Sequence, residues 1–224
     1  MVVKTFVIIP VYNENFRAVD TINRVLKNTK NNLIIVEDGS SDDTWKILNK
    51  NFKNNSRITL LSHVINLGKG AAMRTGVLMA WKMKGDTVIF IDADGQHNPK
   101  HLKKFEKELE KYNIVFGYRK LNGEMPFVRR WGNIIAKNIL RYLFDIKRKE
   151  FLCGFLGFNK SVYRQIKWRS TRYGVETEIA TRVGKNHLSF SEVEIDTIYI
   201  DKYKGVSIFD AIKILFQIPG WYYN

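Results

Sequence analysis

Five short apolar runs recur through the first half of the chain, at residues 5–10, 33–36, 58–61, 87–92 and 114–116, and a helical pattern separates each from the next. Parallel strands need a crossover of a dozen or more residues, usually a helix, whereas antiparallel strands can be joined by tight turns. Strand and helix in alternation therefore predict an α/β fold with a mostly parallel sheet and helices on both of its faces. The helical stretches have their own signals. Val19, Ile22, Val25 and Leu26 recur at helical spacing in residues 16–27, and Asp42 or Asp43 can cap a helix carrying Trp45, Ile47 and Leu48. Residues 70–83 read as a third helix, and Pro99 opens a fourth at a position where proline is tolerated. In such sheets ligands bind beyond the carboxyl ends of the strands. The loops that follow the apolar runs are therefore the places to look for chemistry.

The most telling of these loops ends the run Val88-Ile89-Phe90-Ile91 with Asp92-Ala93-Asp94-Gly95-Gln96-His97. Two carboxylates one residue apart repel each other unless a cation lies between them. Mg2+ in particular is often held by one or two carboxylates together with substrate phosphates. An acidic turn of ordinary Asp and Gly residues is the competing reading. Four other loops bear on the choice. Pro10-Val11-Tyr12-Asn13-Glu14 follows the first run, and Glu37-Asp38-Gly39-Ser40 follows the second. An acid such as Asp38 suits a ribose hydroxyl or a base N–H. Asn66-Leu67-Gly68-Lys69-Gly70 opens a helix and offers backbone N–H groups suited to an anion. It matches neither a dinucleotide fingerprint nor a Walker A loop. Gly117-Tyr118-Arg119 ends the fifth run with a planar cationic fork suited to phosphate or carboxylate.

Composition narrows the classes. The 224 residues are 45% hydrophobic, enough for one good core, and no composition break or Pro/Gly/Ser-rich linker divides them. The single cysteine, Cys153, excludes an internal disulfide framework, fits a reducing compartment and reads as packing. The N-terminus lacks a signal-peptide pattern, and no apolar run reaches the roughly 18 residues of a membrane span. The net charge of +15 favours anionic partners: nucleic acid, anionic lipid or phosphorylated substrates. Acidic loops along the predicted crevice argue against nucleic acid, because without a metal they would repel a phosphate backbone. His63 and His187 read as structural, His97 lies beside the acid pair, and His101 reads as a helix-surface residue.

The second half is less regular. Residues 130–144 and 208–218 each carry an apolar stripe with polar or basic groups opposite, and Trp221, Tyr222 and Tyr223 follow the second. Each can pack on the core or lie in a membrane interface, where Trp and Tyr are favoured.

Taken in order, Pro10-x-x-Asn13-Glu14, the Asp38-Gly39-Ser40 loop, Asn66-x-Gly68-x-Gly70, Asp92-Ala93-Asp94-Gly95-Gln96-His97-x-Pro99 and Gly117-x-Arg119 resemble the family 2 glycosyltransferases of GT-A (nucleotide-diphospho-sugar transferase) fold. The resemblance continues through Arg129-Arg130-x-Gly132-Asn133 and Cys153-Gly154-Phe155 to Glu176-Thr177-Glu178, and it is nearest to the polyprenyl-phosphate sugar synthases of the dolichyl-phosphate mannose synthase group. It implies a single GT-A domain over 1–224: a nucleotide-sugar half at 1–119, an acceptor half at 120–204, and a C-terminal amphipathic helix and tail at 205–224. It implies that Pro10, Tyr12, Glu14, Asp38, Gly68, Lys69, Asp92, Ala93 and Asp94 bind the nucleotide-sugar, GDP- or UDP-linked, and that Asp92, Asp94 and Gln96 hold Mg2+ or Mn2+. Arg119, Arg129, Arg130, Lys202 and Lys204 would face the acceptor phosphate. The chain departs from the family pattern at Glu150, often Asp, and at Leu156, often Arg, which bears on how it grips its acceptor.

The implied reaction moves a hexose to a polyprenyl (dolichyl-type) phosphate, by a peripheral protein on the cytoplasmic face of a membrane. A phosphate-monoester acceptor is largely ionised near neutral pH and needs little base assistance. Direct in-line attack with inversion follows, with Asp94 and Arg119 among the reacting groups and Glu176 and Glu178 the carboxylates to examine as a base. A family 2 transferase with a non-lipid sugar acceptor, a basic nucleic-acid-binding protein and an inactive sugar-nucleotide scaffold are the alternatives.

Overall fold

The computed structural model describes residues 3–119, 138, 140–172, 174–196, 217, 218, 220 and 221. Among them one seven-stranded sheet organises the chain, in the order β3-β2-β1-β4-β6-β5-β7. The first four strands are β1 (Thr5–Val11), β2 (Asn32–Glu37), β3 (Ile58–Ser62) and β4 (Thr87–Phe90), and they pair in parallel. Next come β5 (Ile114–Arg119), β6 (Leu156–Asn159) and β7 (Ser191–Ile195). β6 runs antiparallel to both β4 and β5, so β5 points the same way as β4 and its carboxyl end lies on the same edge.

Why the strands read as unbroken apolar runs is clear from their two-sided burial. Phe6, Ile8, Ile34, Val36, Val88 and Phe90 face α3 (Lys69–Lys82) and α5 (Val175–Lys185) in one core. Val7, Ile9, Leu33, Ile35, Ile89 and Ile91 face α1 (Asn15–Asn28), α2 (Thr44–Phe52) and α4 (Leu102–Leu109) in the other. Successive side chains on a strand point to opposite faces, so the two sets interleave. Burying each such Val, Ile or Phe contributes roughly 1.5–3 kcal/mol. α3 lies so close to β1 that a Cβ on Gly76 would come within 2.5 Å of Ile8 Cγ2.

The structure departs from the sequence reading at three strands. β4 stops at Phe90, although the Ile91 N–H still donates to the Ile8 carbonyl at 3.2 Å. β5 continues through Arg119 because β7, far away in the chain, pairs with it from Val115 to Arg119. β6 is a four-residue strand containing Gly157, too short to stand out as an apolar run. His101, expected on a helix surface, is buried, and its Nε2 accepts from the Asp196 N–H at 3.0 Å. Cys153 is buried as expected, and burial pushes its thiol up to about 12. Arg129, Arg130, Lys202, Lys204 and most of the two amphipathic segments lie outside the described residues; Leu140 and Phe144 of the first are buried, while Tyr142 is exposed. No helix of the described residues is long and apolar enough to cross a membrane.

Candidate active site

β1 has β2 on one side and β4 on the other, so the chain leaves the carboxyl end of β1 toward one half of the sheet and leaves β4 toward the other. Such a switch point opens a crevice. A cleft of about 270 Å3 lies there, lined by Pro10, Tyr12 and Glu14 after β1, by Asp92, Ala93 and Asp94 after β4, and by Asp38, Gly68, Lys69 and Arg172. The β1 and β2 loops are sewn together. Asn13 and Asn15 take the left-handed backbone at φ 51 and 44, a conformation asparagine tolerates. The Asn13 N–H donates to Ser40 Oγ at 2.9 Å, and Thr44 Oγ1 accepts from the N–H groups of Glu14 and Asn15 at 3.1 and 2.9 Å.

Asp38 borders the cleft with a carboxylate already saturated by the protein. Oδ1 pairs with His63 Nδ1 at 2.7 Å and accepts from the Leu67 N–H at 3.0 Å. Oδ2 accepts from the Gly68 N–H at 2.7 Å and Asn66 Nδ2 at 3.1 Å. The N–H groups of Gly70 and Ala71 go to the Thr171 carbonyl at 2.7 and 3.3 Å. This corrects the expectation of an open backbone cradle at the start of α3. The N–H groups of Leu67, Gly68, Gly70 and Ala71 are spent on Asp38 and Thr171.

At the cleft floor the Lys69 ammonium lies 2.6 Å from Asp92 Oδ1 and 2.6 Å from Glu176 Oε1. Burial works to lower the Lys69 ammonium, but the two carboxylates outweigh it and hold it above the ordinary lysine value. Burial likewise works to raise the Asp92 carboxyl, and Lys69 overrides it, so Asp92 stays below the usual range and remains ionised. Gly154 makes room for this cluster, since a Cβ there would stand 2.2 Å from Asp92 Oδ2 and 2.7 Å from Lys69 Nζ. His97 is buried beside it, with Nδ1 3.9 Å from Asp92 Oδ2, and burial holds its imidazole below the ordinary value.

Asp94 lines the cleft, and one of its oxygens accepts from the Gln96 N–H at 3.0 Å, so Gln96 orients Asp94 through its backbone. Among the described residues no three His, Cys, Asp or Glu side chains converge into a cage for a metal. The donor set nevertheless fits a hard divalent ion shared with a diphosphate. Acidic oxygens outnumber cations along the cleft, Asp92 and Asp94 present them side by side, and Mg2+ characteristically takes few protein ligands alongside substrate phosphates.

The remaining expected residues are placed differently from one another. Arg119 is clamped by Glu150: its N–H and Nε donate to the carboxylate at 2.7 and 2.8 Å, and Nη2 closes the pair. The two acids of the Glu176-Thr177-Glu178 segment part company. Glu176 reaches Lys69, whereas Glu178 is fully buried and turned to its own loop. It accepts from the N–H groups of Arg169 and Ser170 at 2.9 and 2.8 Å and from Arg182 Nε and Nη2 at 3.0 and 2.8 Å. Burial works to raise its carboxyl, and these donors hold it below the usual range. Arg172 lines the cleft without any signal in the sequence, for it stands in no recognisable motif.

Comparison with known proteins bears on the fold and the family. The family described as glycosyl transferase family 2 matches residues 6–168. An uncharacterized protein of Methanocaldococcus jannaschii is 31% identical over 95% of this chain and 90% of its own length. The UDP-N-acetylglucosamine–dolichyl-phosphate N-acetylglucosaminyltransferase of Methanococcus voltae is 29% identical over 95% and 94% respectively. The crystal structure of glucosyl-3-phosphoglycerate synthase from Mycobacterium tuberculosis with Mn2+, UDP and phosphoglyceric acid superposes with a TM-score of 0.73 at 18% identity, over 98% of this chain and 78% of that one. The fold is GT-A, and the chain belongs to the family 2 glycosyltransferases.

Proposed function

We propose that this transferase moves a hexose from a nucleotide-sugar, a UDP-hexose or GDP-mannose, to a polyprenyl or dolichyl phosphate at the cytoplasmic surface of a membrane. The carrying observation is the cleft at the β1/β4 switch point, lined by Asp92 and Asp94, with Asp92 held against the Lys69 ammonium. The near-full-length similarity to a dolichyl-phosphate N-acetylglucosaminyltransferase supports the acceptor class and makes a UDP-sugar the first donor to try.

In this reading the loop at Pro10, Tyr12 and Glu14 and the Asp38-supported turn form the nucleoside end of the cleft. Asp92 and Asp94, with Gln96 orienting the loop, would hold Mg2+ or Mn2+ against the donor diphosphate. Such an ion acts as a Lewis acid toward charge building on the departing diphosphate. Lys69, fixed between Asp92 and Glu176, would hold Asp92 in place at the same end. Ala93 allows the backbone to approach the donor, while the close approach at Gly68 is taken by Thr171. Arg119 faces the acceptor phosphate in the orientation set by Glu150, together with Arg129, Arg130, Lys202 and Lys204.

The acceptor monoester attacks the anomeric carbon directly as the nucleoside diphosphate leaves, with inversion. Because that nucleophile is already ionised, positioning outweighs proton transfer. The saturation of Glu178 by donors from its own loop supports a mechanism in which it takes no proton.

The test is transfer of labelled hexose from UDP-N-acetylglucosamine, UDP-glucose and GDP-mannose, each with Mn2+, to polyprenyl phosphate in vesicles or to free sugars. A metal-requiring glycolipid product with inverted anomeric configuration is expected. Transfer to free sugar alone would sink the lipid reading. A transfer rate unchanged by chelation would sink the metal assignment.

A further inference from the structure

Two cations line the cleft among the described residues, Lys69 and Arg172. Lys69 is committed to two carboxylates. Arg172 makes no hydrogen bond or ion pair with a described residue and is exposed at the mouth. The backbone just before it is nevertheless tied on two sides. Behind it Glu178 takes the N–H groups of Arg169 and Ser170, and Arg182 compensates the buried charge through a two-pronged contact. In front, the Thr171 carbonyl accepts from the Gly70 and Ala71 N–H groups. The approach is close enough to exclude side chains: a Cβ on Gly70 would stand 2.2 Å from the Ser170 carbonyl oxygen, and one on Gly68 would stand 2.4 Å from that of Thr171. The residue between this doubly fastened backbone and the cleft is an arginine, whose planar fork matches phosphate geometry and holds its charge at every physiological pH.

We propose that Arg172 is a phosphate-binding residue of this site, and that Glu178 and Arg182 are its positioning residues. The inference rests on the glycosyl-transfer reading and adds to it a further cationic group and the structural role of the second acid of Glu176-Thr177-Glu178. The phosphate comes either from the donor diphosphate or from the acceptor monoester, and both present the same oxyanions to a guanidinium.

The full chain with Mn2+ is titrated with UDP and with GDP by calorimetry, and the KM for polyprenyl phosphate is measured separately. Arg172→Gln is expected to weaken one of these arms by about tenfold or more, the loss of a charge-assisted hydrogen bond pair. Loss in the calorimetric arm identifies the donor, and loss confined to the acceptor KM identifies the acceptor. Arg172→Lys should recover part of the loss. Glu178→Gln should weaken the same arm, and combining it with Arg172→Gln should add little. If Glu178→Gln does not fold, Arg182→Gln takes its place.

Equal affinity of Arg172→Gln and wild type in both arms overturns the proposal while the transferase reading stands. Losses from Glu178→Gln that survive undiminished in the double variant overturn the positioning role. A wild-type chain that binds no nucleoside diphosphate removes the transferase reading and this inference with it.

Discussion

The two walls of the cleft differ in how far apart their parts lie along the chain. One wall is made of loops after β1, β2 and β4, each a few residues long and each carrying its chemistry in side chains. Asp92 and Asp94 need only the end of β4 to bring them to the cleft. On the side of Arg172 the described residues are fastened through backbone atoms, the N–H groups of Arg169 and Ser170 to Glu178 and the Thr171 carbonyl to α3. Thr171 caps α3 through its carbonyl, about a hundred residues from the N–H groups it meets. Side chains repeat as motifs, whereas a carbonyl oxygen is the same in every residue. The first wall therefore announces its function locally, and the second is invisible until the chain has folded. The same contrast separates Glu176, whose carboxylate reaches the cleft lysine, from Glu178, which builds the scaffold behind it.

Variants that break the first wall should have the largest effects. Asp94→Asn should lower transfer by roughly a hundredfold or more, the scale seen when a preorganised electrostatic group is removed. It should also abolish the Mn2+-dependent part of the thermal shift produced by a nucleoside diphosphate. Retention of that metal-dependent shift would separate Asp94 from the metal. Next in size is Gly154→Ala. Its Cβ would collide with Asp92 Oδ2, so stability should fall by about 1–3 kcal/mol. Activity should drop by at least about tenfold as the Lys69–Asp92 contact is pushed apart. Normal transfer in a stably folded Gly154→Ala would show that the contact is dispensable. Lys69→Met leaves Asp92 and Glu176 facing each other without their cation. The expected outcome is tighter Mn2+ binding, because that carboxylate charge is no longer neutralised, with several-fold weaker nucleotide binding measured by titration at fixed metal.

The smallest effect belongs to the second wall and is a pH dependence. Hydrogen bonds hold the Glu178 carboxyl below its unfolded value of about 4.3 in spite of burial. A depressed carboxyl contributes stability above the unfolded pKa and loses it as pH falls through the folded one. Melting temperatures of wild type and Glu178→Gln should thus differ most near neutral pH and converge as pH drops below about 4. A gap independent of pH would mean that the charge of Glu178 is not what holds the loop.

Much of the fold was legible because the parallel strands are buried on both faces and so read as continuous apolar runs. The strands that escaped notice, β6 and β7, owe their existence to neighbours. β6 has four residues and a glycine, and β7 alternates Glu with Val and Ile, so neither carries a strong signal. β5 reaches Arg119 only because β7 pairs with it, and Glu150 then fixes the guanidinium from the other side. The backbone N–H groups of the 66–70 loop show the opposite kind of error. The glycines correctly marked a tight approach of chain to chain, but the partners are Asp38 and Thr171 of the protein itself.

By itself, then, the order of residues determined the α/β architecture, the edge of the sheet that carries the chemistry, the acid pair and the family, because periodicity and side-chain motifs act over short stretches. Which charged groups enter the cleft and which are consumed in building it was decided only by the tertiary structure. Glu178 and Arg172 are distinguished by what their neighbours saturate, and saturation depends on backbone donors and acceptors brought together from distant parts of the chain.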